Sequence, residues 1–131
     1  LTSTPFQFAS TAQQPNLLIY DDGSIQISTE VYEYEKLVEG KPVLGSVMIT
    51  HNASSIIDSE SFKIGNKPLK VKLIKTVPFA SSNIVISIYN FQLEGLPEGT
   101  QTLAPISLKV GEKYYQAPPL TITVGSNNPN F

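Results

Sequence analysis

Apolar and polar positions alternate with a period of two along most of the chain, the signature of strands rather than helices. In "SIQISTEVYEYEK" this period sets Ile25, Ile27, Thr29 and Val31 on one face and Tyr32 and Tyr34 on the other. "KPVLGSVMITHN" offers Val43, Val47 and Ile49 to a core, and Gly45 between them predicts a bulge. "LKVKLIKTV" turns Leu69, Val71 and Leu73 inward and Lys70 and Lys72 outward. "NIVISIYNFQLEG" is apolar on both faces, with Tyr89, Phe91 and Leu93 on one and Ile84, Ile86 and Ile88 on the other. That predicts a central strand. The closing part, "ISLKVGEKYYQAPPLTITV", sends Ile106, Leu108 and Val110 inward, turns at Gly111, and returns through Leu120, Ile122 and Val124. One of Tyr114 and Tyr115 faces the core. A "GE" turn and a "GEK" turn give opposite answers as to which.

No apolar period of 3.6 persists for ten residues, and ten prolines and eight glycines punctuate the alternation. The expected fold is therefore all-β. It is an antiparallel β-sandwich of immunoglobulin-like architecture with about seven to eight strands. Pro118 and Pro119 cannot donate to a ladder, so the last strand starts after them or lies on an edge. Residues 1–16 read as a linker or N-terminal arm, 17–125 as the domain and 126–131 as a C-terminal linker.

Composition narrows the function classes. The 131 residues suit one domain, and 15% charged residues with a net charge of −2 leave no charge block. All nine basic residues are lysine. Without arginine, the usual bidentate reader of phosphates and bases, nucleic acid is not an expected partner. The absence of cysteine removes disulfides, thiol catalysis and thiolate metal sites. No run approaches the roughly 18 apolar residues of a membrane span. The chain begins at Leu1 rather than methionine, which points to a piece or mature form of a longer protein with any anchor outside it.

Candidate chemistry is sparse. His51 is the one histidine, and no G-x-S-x-G elbow accompanies it. "YDDGS" places Asp21 and Asp22 where calcium would need clustered oxygens, but "DG" is first a turn signal. Glu30, Glu33 and Glu35 lie close together without predicting a cleft. "NAS" at 52–54 matches a glycosylation acceptor. Lys63, Lys67, Lys70, Lys72 and Lys75 make a basic face that reads first as solvated and second as a docking surface. No catalytic, cofactor or metal residue is assigned. Tyr32, Tyr34, Lys70 and Lys72 are the candidate interaction residues, since exposed tyrosine serves interfaces and lysine an acidic partner.

Several segments resemble a known family. "VEGKPVLGSVMITHN" supplies a G-x-P-V approach to a strand at Gly40, Pro42 and Val43, and Tyr89, Phe91 and Leu93 give Y-x-F-x-L. Pro97, Gly99, Pro105 and Ile106 follow, and then Val110, Gly111, Tyr115, Pro118, Ile122 and Val124. Over residues 23–125 this pattern resembles the immunoglobulin-like modules of BatD proteins, the bacterial oxygen tolerance family. The resemblance implies a periplasmic module of a membrane-anchored protein. Its partners would be proteins of a cell-envelope complex, including von Willebrand-type proteins, in envelope or oxidative stress tolerance. It implies no catalytic residue.

Three functional readings follow. The first is a non-enzymatic protein-interaction module. The second is a carbohydrate-binding or adhesin-type module using exposed tyrosines and calcium at Asp21 and Asp22. The third is a hydrolase built on His51 and a serine, which requires a serine hydroxyl within about 3.5 Å of the imidazole.

Overall fold

A computed structural model describes residues 18–79 and 82–127. The expected N-terminal arm at 1–16 and the last residues of the expected C-terminal linker lie outside them. The described residues form an all-β, sandwich-like fold with antiparallel sheets of five, four and two strands.

The first layer is the five-stranded sheet. Its strands are β1 (Ile19–Asp21), β2 (Gln26–Val31), β3 (Val43–Asn52), β6 (Val71–Pro78) and β7 (Ile84–Leu93), in the order β1-β2-β3-β7-β6. The second layer has two parts. One is the four-stranded sheet of β4 (Ile57–Ile64), β5 (Lys67–Pro68), β9 (Ile106–Val110) and β10 (Lys113–Gln116). The other pairs β8 (Gly99–Leu103) with β11 (Leu120–Val124). An isolated parallel bridge, Val38 to Gly125, ties the end of the second part to the loop after β2.

Alternation explains the layers. Ile25, Ile27, Val47, Ile49, Tyr89 and Phe91 of the first layer close on Phe62, Ile106, Leu108 and Val110 of the second, as one apolar cluster. Val31 and Val43 close on Leu103, Leu120, Ile122 and Val124 as another. Phe62 and Tyr89 meet across the layers with ring centroids 4.9 Å apart. Each fully buried aliphatic or aromatic side chain contributes about 1.5–3 kcal/mol. β7 is central, as its two apolar faces predict, and is hydrogen-bonded to β3 and β6.

Four expectations need correction. Eleven strand segments replace the expected seven to eight, because β1 and β5 are very short and prolines divide two longer strands. β2 stops at Val31 instead of running on to Lys36. Glu33 adopts a left-handed conformation (φ 53°) and Tyr34–Lys36 form a 3-10 turn, so Tyr32 and Tyr34 do not share a sheet face. Gly45 marks no bulge, since β3 keeps continuous register with both β2 and β7. A Cβ at Gly45 would overlap the Glu30 carbonyl oxygen and stand 2.6 Å from Cζ of Phe91, the residue paired with it. Leu73 does not reach a covered core. It sits on edge strand β6 just before a register shift between Leu73 and Lys75, and is 49% exposed.

Register at the β9–β10 hairpin decides which tyrosine faces the core. Lys113 pairs with Val110, so the turn is the two residues Gly111 and Glu112, and Gly111 takes φ +64°. Tyr115 then faces the core and packs edge-on against Tyr20 at 6.0 Å. Tyr114 points out, 70% exposed, with Lys109 Nζ 5.9 Å above its ring.

Candidate interaction groove

The outer face of the five-stranded sheet holds a shallow groove of about 370 Å³. It crosses the strands near the end where β2 finishes, and Tyr32, Leu44, Asn90, Gln92, Lys70 and Lys72 line it. Register places them together. Lys72 is opposite Asn90, and Asn90 is opposite Ser46. Gln92 is opposite Leu44, whose carbonyl accepts the Tyr32 N–H at 2.8 Å. Residues directly across a ladder stand about 5 Å apart, so Leu44 of β3, Asn90 and Gln92 of β7 and Lys72 of β6 meet at a single site, with Tyr32 just after β2 and Lys70 just before β6.

The groove is polarised. The Tyr32 hydroxyl donates to Asn90 Oδ1 at 3.0 Å and fixes the amide so that its NH₂ donors are left available. Lys70 and Lys72 are exposed on the opposite side. Leu44, 48% exposed, supplies an apolar floor beside the Tyr32 ring. Beyond the groove the same face stays apolar through Met48, Ile88, Ile86 and Val77, with Met48 and Val77 both exposed.

Three of the four candidate interaction residues, Tyr32, Lys70 and Lys72, thus border one groove. Tyr34 does not. It turns toward the second apolar cluster, beside Leu37. Burial raises its phenol pKa. Leu44, Asn90 and Gln92 escaped sequence reasoning, although they are the outward positions of β3 and β7 once the register is known.

The other candidates lie elsewhere. Asp21 and Asp22 are occupied by the β1–β2 turn. Asp22 Oδ1 accepts from Ser24 N–H, Ser24 hydroxyl and Ile25 N–H at 2.9–3.0 Å, and Oδ2 from the Tyr20 hydroxyl. The Ser24 donors pull the Asp22 carboxyl down to about 2. Asp21 accepts from Gly23 N–H and from Gln26 Nε2. Among the described residues no three side chains of metal-ligating type cluster. Asn52 of the "NAS" triplet accepts from both the amide and hydroxyl of Ser54.

His51 does meet a serine. Its Nε2 lies 2.8 Å from Ser87 Oγ, diagonally across β3 and β7 on the inner face. Nδ1 is 2.9 Å from the Asn52 carbonyl oxygen. A carbonyl only accepts, so Nδ1 carries the proton and Nε2 accepts from the Ser87 hydroxyl. Burial lowers the imidazole pKa against a smaller opposing effect from the backbone carbonyls. Both residues are buried, and Ser87 lies mid-strand between Ile86 and Ile88 rather than on a strained turn. The sequence signal for this pair was a single polar residue in the inward row of each strand.

No family model, curated protein or solved structure matches this chain.

Proposed function

We propose that the chain is a non-enzymatic protein-interaction module of immunoglobulin-like architecture that binds through the outer face of its five-stranded sheet. The observation that carries this reading is the exposed groove of Tyr32, Leu44, Lys70 and Lys72, continuous with the apolar strip at Met48, Ile88 and Val77. The resemblance of residues 23–125 to BatD modules supplies the setting, a periplasmic part of a membrane-anchored stress-tolerance protein. Its partner is then a von Willebrand-type protein of the same envelope complex. A photo-crosslinking amino acid at Leu44 tests this in a bacterial periplasm. The expected result is a defined adduct with such a protein. Adducts that form from position Thr123, on the second layer, and not from Leu44 overturn the assignment of the face.

One observation favours a second reading, a hydrolase, namely the 2.8 Å contact between His51 and Ser87. Both residues are buried, and Ser87 does not line the cavity that His51 borders, which suits a satisfied polar pair better than a nucleophile open to substrate. A fluorophosphonate probe separates the two. The interaction reading expects no labelling, and labelling lost in Ser87→Ala establishes the hydrolase.

A further inference from the structure

Charge is distributed unevenly around the groove. Residues 61–93 contain five lysines and no aspartate or glutamate, although acidic residues outnumber basic ones in the chain. Lys63, Lys67, Lys70, Lys72 and Lys75 all fall on the end of β4, on β5, on β6 or beside them, and all are exposed. Asp21, Asp22, Glu30, Glu33, Glu35 and Glu39 gather at the opposite edge of the five-stranded sheet, around β1, β2 and the 3-10 turn. The groove opens toward the basic side. Tyr32 donates to Asn90 Oδ1, which leaves the N–H donors of Asn90, Lys70 and Lys72 on that side, with the uncharged Gln92 amide beside them. Donors and positive charge together select a negatively charged ligand rich in acceptors. The Leu44 side chain and the Tyr32 ring require an apolar group next to that charge. A volume of about 370 Å³ lies near the small end of the 300–1,000 Å³ range of ligand sites, so it takes a side chain or two.

We infer that the groove docks an extended acidic and apolar segment of a partner protein. A carboxylate sits against Lys70 and Lys72, and a neighbouring apolar side chain sits on Leu44 and Tyr32. The segment lies across the face of the sheet. It does not extend the sheet at β6, because Lys72, Lys75, the irregularity at Ile74 and Pro78 all oppose pairing at that edge. This inference rests on the proposed interaction face and adds the chemistry of its partner. An acidic saccharide fits less well, since the groove offers one exposed aromatic ring, Tyr32, whose hydroxyl is already engaged, while Phe91 is buried.

The test uses the full chain and three probes at low ionic strength, read by fluorescence anisotropy and by amide chemical shifts. The first is the labelled peptide Asp-Leu-Asp-Phe-Asp-Leu-Asp, the second its asparagine counterpart, and the third polygalacturonate. The acidic peptide is expected to bind, to shift the amides of Leu44, Lys72 and Asn90, and to weaken as salt is raised. The double change Lys70→Glu with Lys72→Glu should weaken it roughly tenfold or more, and Leu44→Ser several-fold. Lys113→Glu, on the other layer, should leave it unchanged. Equal binding of the asparagine peptide, or indifference to the double change, overturns the acidic chemistry. Groove shifts from polygalacturonate alone overturn a peptide partner. If the Leu44 crosslink forms while the acidic peptide does not bind, the ligand chemistry fails and the interaction face stands. If both fail, the face itself is wrong.

Discussion

At the scale of single residues, three positions carry consequences for stability. His51 is neutral and buried in the native state, with its pKa below the ordinary 6.5. As pH falls below 6.5 the unfolded chain takes up a proton before the native one does. Stability therefore falls in that window and is regained as pH rises through it. Thermal unfolding should give a lower Tm at pH 5.5 than at pH 7.5, and His51→Gln should flatten that difference. Gly45→Ala places a methyl where the Glu30 carbonyl and the Phe91 ring already stand, and should cost about 2–3 kcal/mol in chemical denaturation. Thr29 is the reverse case. Its hydroxyl is buried on the inner face of β2 with no hydrogen-bond partner, so Thr29→Val should gain about 1 kcal/mol. Alternation placed Thr29 inward correctly. Nothing local in the sequence disclosed that its hydroxyl lacks a partner or that Gly45 makes room for a ring, because both depend on residues far along the chain.

At the scale of elements, the closing ribbon is the most instructive. Leu103 pairs with Leu120 and Ser107 with Gln116, so Ala104 and Pro105 stand opposite Pro119 and Pro118 with no residue inserted. The register runs through the proline step, yet the inward rows change parity across it. Leu103 and Leu120 face one apolar cluster, while Ile106 and Ala117 face the other. Proline cannot donate, so the ladder opens there and both strands re-aim together. Deleting Ala104 should turn either Ile106, Leu108 and Val110 or the β8 row outward. Loss of cooperative unfolding and of the near-ultraviolet tyrosine signal would record it. The inward rows of β9 and β11 were legible from period two, and the prolines marked the interruption. That β8 with β9 and β10 with β11 form the two arms of one interrupted hairpin was not legible, because it depends on where each proline lands across the ladder. The end of β2 was hidden for another reason. Glu33 leaves the extended region although "VYEYEK" alternates as a strand would. The groove was half legible. Tyr32, Lys70 and Lys72 were singled out as outward residues, but their meeting required the β2-β3-β7-β6 order.

At the scale of the whole molecule, one sandwich holds two apolar clusters. They are not independent. β3 contributes Val43 to one and Val47 and Ile49 to the other, and Leu93 of β7 packs against both. A single cooperative transition is therefore expected. Val43→Ala and Ile49→Ala should each cost about 2–4 kcal/mol while preserving one transition, checked by coincident fluorescence and circular dichroism curves in urea. Separate midpoints for the two variants' probes would show that the halves unfold on their own.

The ring of Phe91 over Gly45 has a further consequence, for descent. Neither position can change alone without a clash or a void, so the two should be inherited as a unit. A distant relative with a side chain at the place of Gly45 needs both a smaller residue at the place of Phe91 and a β2 backbone drawn away at the place of Glu30, so the glycine itself should persist. A chain that keeps the glycine should keep the aromatic ring opposite it. That linked pair, set beside the proline-interrupted closing hairpin, gives a criterion of kinship that overall sequence identity does not supply.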